Sequence, residues 1–252
     1  MRQLTAALAV AAAGILVTAC GGGNGGSTAS SSTTTTTTTP SKPPLAQAAL
    51  ANLLLAPADI DSALGVTGSK SDRPIDAPQN DSPANVFPKA YKFPDECMYV
   101  TGAAEAPVYA GSGYTAVHGE HDVASLPPGS NEPDPDMTQV VVLFPSAAQA
   151  TAFFTTSTQR WPACANRQDT VPGEADNPEI QWKVGPVSTA DGVLSTTTTV
   201  TASKNGTTMS QSCQRALTAR NNVVIDVEVC RKDPGNVAVS IANQIGGKVD
   251  KQ

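Results

Sequence analysis

CQRALTARNNVVIDVEVC, residues 213–230, carries one cysteine at each end and an Asn-Asn pair at its centre. Asparagine tolerates the positive φ that both central residues of a type I′ turn require, so Asn221-Asn222 reads as the turn of a two-residue β-hairpin. Arg220 then opposes Val223, and the same register carries Cys213 to a position opposite Cys230. Pairs along a hairpin alternate between hydrogen-bonded and non-hydrogen-bonded. Counting outward from the turn, 213/230 falls in the second class, whose Cα atoms lie about 4.5 Å apart. A disulfide accepts that spacing, so the symmetry of the two thiols predicts a cross-strand bridge. One face of the hairpin carries Ile225, Val227 and Val229 with Ala216, and is the expected core face. The other carries Arg215, Asp226 and Glu228. It is expected to be wet or to line a cleft, with Arg215 and Glu228 as a cross-strand ion pair.

The chain begins MRQLTAALAVAAAGILVTAC. Arg2 precedes an apolar run over 4–17, the length of a signal-peptide h-region and short for a bilayer span. Val17-Thr18-Ala19-Cys20 has the form of a bacterial lipobox. Residues 1–19 therefore read as a lipoprotein signal peptide and Cys20 as the lipidation site, with two or three acyl chains giving stable membrane attachment. Residues 20–44 form a tether rich in Gly, Ser, Thr and Pro, a composition that cannot build a core. No second apolar run is long enough for a membrane-crossing helix. With Cys20 assigned to lipid, four cysteines remain, an even number that points to disulfides in an exported chain. Once the hairpin pairs Cys213 with Cys230, Cys97–Cys164 follows by elimination.

Residues 45–252 are long enough for one domain with a sizeable core. The formal charge of −6 argues against a nucleic-acid partner and against a surface that grips anionic lipid by charge. Helical periodicity appears over 45–55, and PADIDSAL at 57–64 is a short helix with proline at its start and Gly65 as its stop. Residues 68–95 and 165–179 read as loops. Strands are predicted over 113–119, 137–144, 180–184, 193–203, 207–218 and 223–229, the pair at 193–218 turning on Asn205-Gly206. Ser146 and Gln149 form a capping box that opens a helix to about Arg160, with Ala150, Phe153, Phe154 and Ser157 on one side. Asp233 and Pro234 signal the start of a last helix that turns Val237, Ile241 and Ile245 to the core. The expected class is α+β: a twisted antiparallel sheet with helices packed on one face and two disulfides.

Motifs for catalysis are missing. There is no P-loop, no G-x-G-x-x-G after a strand, no H-E-x-x-H and no C-x-x-C. Gly111-Ser112-Gly113 lacks the spacing of a nucleophile elbow. His118 and His121, three apart, point to opposite faces of a strand, so no metal site is expected, and no cofactor. Asn205-Gly206-Thr207 matches a glycosylation sequon that the turn already explains. Side chains able to line a cleft are Tyr114, Trp161, Trp182, Arg215 and Arg220.

Several stretches together resemble a family. They are LLLAPADIDSALG (53–65), VVVLFPSAAQATAFF (140–154), RWPAC (160–164), the hairpin quoted above, and IANQIGGKV (241–249). They are similar to the extracellular sensor domain of mycobacterial PknH-type serine/threonine kinases. The resemblance implies one α+β domain, the same two disulfides and a cleft for an unidentified ligand. No kinase domain is expected alongside it, so the resemblance implies a non-enzymatic binding module rather than a relay. The resulting expectation is a lipid-anchored domain on the extracytoplasmic face of the cell membrane that takes a small envelope molecule or envelope component. An interaction or structural lipoprotein docking a membrane protein partner is the alternative, and an envelope-polymer hydrolase the third. The first predicts a pocket with a polar floor, the second an exposed apolar patch.

Overall fold

A computed structural model describes residues 42–80, 87, 90–130, 132–173 and 177–252. The signal segment 1–19, Cys20 and most of the tether lie outside the described residues. Among the described residues nine strands form one antiparallel sheet: β1 Lys70–Ile75, β2 Ala116–Val123, β3 Asp136–Leu143, β4 Gln168–Val171, β5 Glu179–Val184, β6 Ser188–Ala190, β7 Val193–Lys204, β8 Thr207–Arg220 and β9 Val223–Arg231. Their spatial order is β1-β2-β3-β9-β8-β7-β5-β4, with β6 against β7. The helices are α1 Pro57–Leu64, α2 Ala106–Tyr109, α3 Ala147–Arg160 and α4 Val237–Val249. Short 3-10 turns run over Gln47–Asn52, Asp95–Tyr99 and Trp161–Cys164.

The central hairpin has the predicted register. Cys213 pairs with Cys230 and Arg215 with Glu228, and the first pair is bridged across a Cα–Cα distance of 4.0 Å. Cys97 and Cys164 form the second bridge. The turn differs from expectation in one respect: Asn221 takes a positive φ of 49°, whereas Asn222 is used for its side chain. Its amide accepts from Leu45 N (2.7 Å) and donates to Leu45 O (3.1 Å) and Phe144 O (2.9 Å). Asn222 is buried, and it clamps the start of the domain and the end of β3 to the hairpin turn. Replacing it with Ala leaves three backbone groups without their partner, so Asn222→Ala is expected to cost about 2–3 kcal/mol, read as a lower denaturation midpoint.

Helices cover both faces of the sheet rather than the single face expected. Ile225, Val227, Val229, Ala216, Met137 and Val141 pack beneath α1, α4 and the turn at 47–52. Val140, Val142, Val224 and Leu217 pack on the opposite side with Tyr109, Phe144, Ala150 and Trp161. The reason lies in the central strands. β3 is apolar at consecutive positions over 140–143 and β9 over 223–225, and consecutive apolar residues on a strand point to both faces. Two sheet-bound layers are the only way to cover them.

Other differences concern weak signals. The region read as loop over 68–95 contains β1, whose KSDRPI is almost wholly polar and exposed, as suits an edge strand carrying a proline. β4, within the predicted loop 165–179, is another short edge strand. β2 starts at Ala116, three residues later than predicted, and runs to Val123. The final helix starts at Val237, because Gly235 at φ 50° breaks the turn that Pro234 would have opened. Asp233 instead accepts from Gly235 N at 3.1 Å. The capping box at Ser146 forms as predicted, its Oγ accepting from Gln149 N.

Candidate functional site: a polar cleft above a buried ion pair

Arg215, Asp226, Glu228 and Cys213 share the sheet face that α3 covers, two residues apart along each strand. This face is not wet. Asp226 and Arg215 are 0% and 1% exposed. The guanidinium reaches diagonally to Asp226 rather than straight across to Glu228. Nε donates to Oδ1 at 2.9 Å and Nη2 to Oδ2 at 2.8 Å. Nη1 donates to Tyr99 O at 2.9 Å, and the group lies 5.0 Å from the ring centroid of Trp161. The expected Arg215–Glu228 ion pair is therefore replaced. Asp226 is the more deeply buried acid, and a dry carboxylate needs a bidentate cation more than one at a cleft edge does. Asp226 also accepts from Ala104 N and from the Tyr109 hydroxyl, each at 2.9 Å. Burial and the adjacent Asp226 hold the Tyr109 phenol well above its ordinary pKa, so it stays a donor.

These bonds strap the segment 101–105 onto the sheet. Gly102 N donates to Glu228 at 3.3 Å, and Gln79 exchanges backbone bonds with Ala104 and Ala106. Gly102 has φ 80°, where any other residue is strained, and a Cβ there would sit 2.4 Å from Glu105 Oε1 and push that side chain aside. Between this strap and the sheet lies a cleft of about 240 Å³, lined by Arg73, Glu105, His121, Asp136, Thr138, Thr198, Cys213 and Glu228 among others. Strands β1, β2, β3, β7, β8 and β9 each contribute to it.

The floor is electrostatically unusual. Burial pushes the Glu228 carboxyl up to about 7; Asp136 and Asp226 raise it further, while Arg215 and Gly102 N oppose. His121 sits between two carboxylates, Nδ1 3.4 Å from Asp72 and Nε2 3.6 Å from Asp136. Its pKa is raised, chiefly by Asp136. On the opposite sheet face, buried Asp122 is pushed up to about 6 by burial. There it accepts from Gln139 at 3.2 Å.

All three titrations act on stability in one direction. Between 4.5 and about 7 the folded chain holds a proton on Glu228 that the unfolded chain has released, so folding becomes less favourable as pH rises through that window. Asp122 does the same between 3.8 and about 6. The stabilised imidazolium of His121 likewise contributes below its unfolded pKa and is lost as pH rises. The denaturation midpoint is therefore expected to be higher at about pH 5 than at about pH 7.5. Glu228→Gln is expected to flatten that slope in an equilibrium unfolding series.

The residues singled out in the sequence occupy different places. Arg215 lies beneath the cleft and acts through the ion pair. Trp161 is wholly buried against it. Trp182 is buried elsewhere, its Nε1 donating to the Tyr91 hydroxyl at 3.0 Å. Tyr114 lines a separate surface hollow with Asp76 and His118. Arg220 packs on Gly246 and lies 3.9 Å from Asp250. None of the five is a cleft wall. Glu105, His121, Thr138, Thr198 and Glu228 are walls. Only the two-residue period of β9 signalled one of them, Glu228. His118 and His121 do face opposite sides of the sheet, as their spacing requires: His118 is in the hollow beside Tyr114, and His121 is in the cleft.

An exported-type α+β domain with two bridges, a nine-stranded sheet and a strapped polar cleft is the class these features define. The chain belongs to the PknH-like extracellular domain family, whose family model matches residues 45–248. It is 33% identical over 209 residues to the serine/threonine-protein kinase PknH of Mycobacterium bovis and to that of Mycobacterium tuberculosis strain H37Rv. Each match takes in 83% of this chain, against 32% and 30% of those proteins. The chain thus spans about a third of the length of these relatives. The crystal structure of the extracellular domain of PknH from M. tuberculosis superposes with a TM-score of 0.64 at 30% identity, covering 83% of this chain and 99% of that one. The likeness is to the kinase's extracellular domain and not to its catalytic domain. Among the described residues no helix is long and apolar enough to cross a membrane.

Proposed function

We propose that this domain captures a small molecule of the cell envelope in the cleft beneath the 101–105 strap, and that lipidated Cys20 holds it at the extracytoplasmic face of the membrane. The observation that carries this reading is the cleft floor. A glutamic acid titrating near neutrality, an imidazole between two carboxylates and two threonines converge in one concavity. Such convergent, electrostatically perturbed polar groups are the ordinary mark of a ligand site. The carboxylates are held by protein donors: Asp136 accepts from Gln211 at 3.3 Å and Glu228 from Gly102. That suits binding better than hydrolysis.

The way the tether enters agrees with this reading. Pro43 and Leu45 are bonded to Asn221 and Asn222 at the hairpin turn. Glu228 lies six residues along β9 from that turn, about 20 Å at strand rise. The cleft therefore lies clear of the turn to which Pro43 and Leu45 are bonded.

The test is hydrogen exchange of the protein with and without a mycobacterial envelope extract. Slowed exchange confined to 101–105 and 226–230 is expected, and absent from Thr198→Trp, which fills the cleft. A second reading, docking of a membrane protein, draws on Met209 and Val200. They are 63% and 37% exposed, at the free end of the β7–β8 hairpin. Protection at 199–211 instead would select it.

A further inference from the structure

We propose that the Cys213–Cys230 bridge is a thiol–disulfide exchange site opened by small thiols that enter the cleft, whereas Cys97–Cys164 is a structural staple closed to them. Cys97 and Cys164 are both 0% exposed and sit beneath the apolar layer of α3. Cys213 is partly exposed and forms part of the cleft wall, so an attacking sulfur can reach it from solvent. Cys230 is buried at 8% exposure and does not line the cleft, which makes Cys213 Sγ the atom attacked and Cys230 Sγ the leaving group. Finally, a carboxyl oxygen of Glu228 lies within 4.8 Å of both sulfurs.

Exchange is fast when the sulfur is accessible and the departing thiolate is stabilised or protonated. A departing Cys230 thiolate next to an ionised carboxylate would be disfavoured; next to a neutral carboxylic acid it takes the proton. Glu228 is surrounded by Asp136 on β3, Asp226 on its own strand, Arg215 on β8 and Gly102 N of the strap. That environment keeps a large share of it protonated around neutral pH. The thiolate of a small thiol bonds to Cys213 Sγ and the Cys213–Cys230 bond breaks. The electron pair goes to Cys230 Sγ, which takes the Glu228 proton. A second thiol then displaces Cys213 from the mixed disulfide. The net change is two thiols oxidised to one disulfide and the protein bridge reduced to two cysteines. The β8–β9 ladder around the bridge holds the hairpin together, so opening changes the cleft wall rather than the fold. This inference stands whether or not the cleft also takes the ligand proposed above.

The test is a dithiothreitol titration of the full chain under native conditions, with iodoacetamide trapping and peptide mass mapping. The expected result is alkylation of Cys213 and Cys230 at a reductant concentration about tenfold or more below that needed for Cys97 and Cys164, with the native fold retained by circular dichroism. Simultaneous opening, or Cys97–Cys164 opening first, overturns the proposal. Glu228→Gln, which cannot supply a proton, is expected to lower the ratio of the two opening rates several-fold. The ratio cancels the reagent's own ionisation, so an unchanged ratio overturns the role given to Glu228.

Discussion

Asp226→Ala is expected to destabilise the domain by about 3–5 kcal/mol, the largest single-substitution effect expected for this chain. Removing the carboxylate takes from the 1%-exposed Arg215 its bidentate partner and leaves the cross-strand Glu228 as its counter-charge. It also deprives Ala104 N and the Tyr109 hydroxyl of their acceptor. The loss is a sizeable share of the roughly 5–15 kcal/mol by which a domain of this size is stable. Guanidinium denaturation of the two proteins side by side measures it. Replacing both partners by apolar residues, Arg215→Met with Asp226→Leu, is expected to recover part of the loss: no charge is then buried unpaired, although Ala104 N, the Tyr109 hydroxyl and Tyr99 O still lack the partners the pair supplied. A loss below about 1 kcal/mol for Asp226→Ala would show that the pair does not strap the 101–105 segment to the sheet.

The second large effect separates the two bridges. Cys97 and Cys164 are 67 residues apart in sequence, Cys213 and Cys230 only 17. Chain-entropy reasoning assigns about 4 kcal/mol to the longer loop and about 3 to the shorter. The difference widens in the folded state. The hairpin keeps its ladder and its turn without the 213–230 bridge. Cys97–Cys164, by contrast, is a covalent link between the turn at Asp95–Tyr99 and the turn that ends α3. The Cys97→Ser, Cys164→Ser double variant is therefore expected to lose more stability than Cys213→Ser, Cys230→Ser. Paired thermal or denaturant melts should place its midpoint clearly the lower.

What could be read from the sequence followed from local geometry. Two cysteines at equal distances from an Asn-Asn turn specify register, bridge and the faces of β8 and β9 at once, because a strand alternates faces strictly. The same alternation puts Arg215, Asp226 and Glu228 on one side of the hairpin. It could not show which acid Arg215 would choose, since straight and diagonal neighbours are both within reach of a long side chain. Burial decides between them, and the burial comes from Trp161, Tyr99 and Tyr109, which are distant in sequence. The covering of that face was announced by VVVLF at 140–144, a run too continuous for a half-wet strand. The cleft walls were hidden for a different reason. Thr138, Thr198 and Glu105 become neighbours only when the 101–105 segment folds across the sheet, and no spacing rule links residues so far apart. Edge strands such as β1 carry no apolar alternation, because neither of their faces is fully buried.

Capture of a small molecule in the cleft is tested most directly by native mass spectrometry of the protein recovered from a mycobacterial envelope. Wild-type protein is expected to carry a reproducible extra mass that leaves on denaturation, and Thr198→Trp is expected to lack it. A bare mass for the wild type after exposure to the envelope, or an extra mass that Thr198→Trp retains in full, would contradict ligand capture in this cleft.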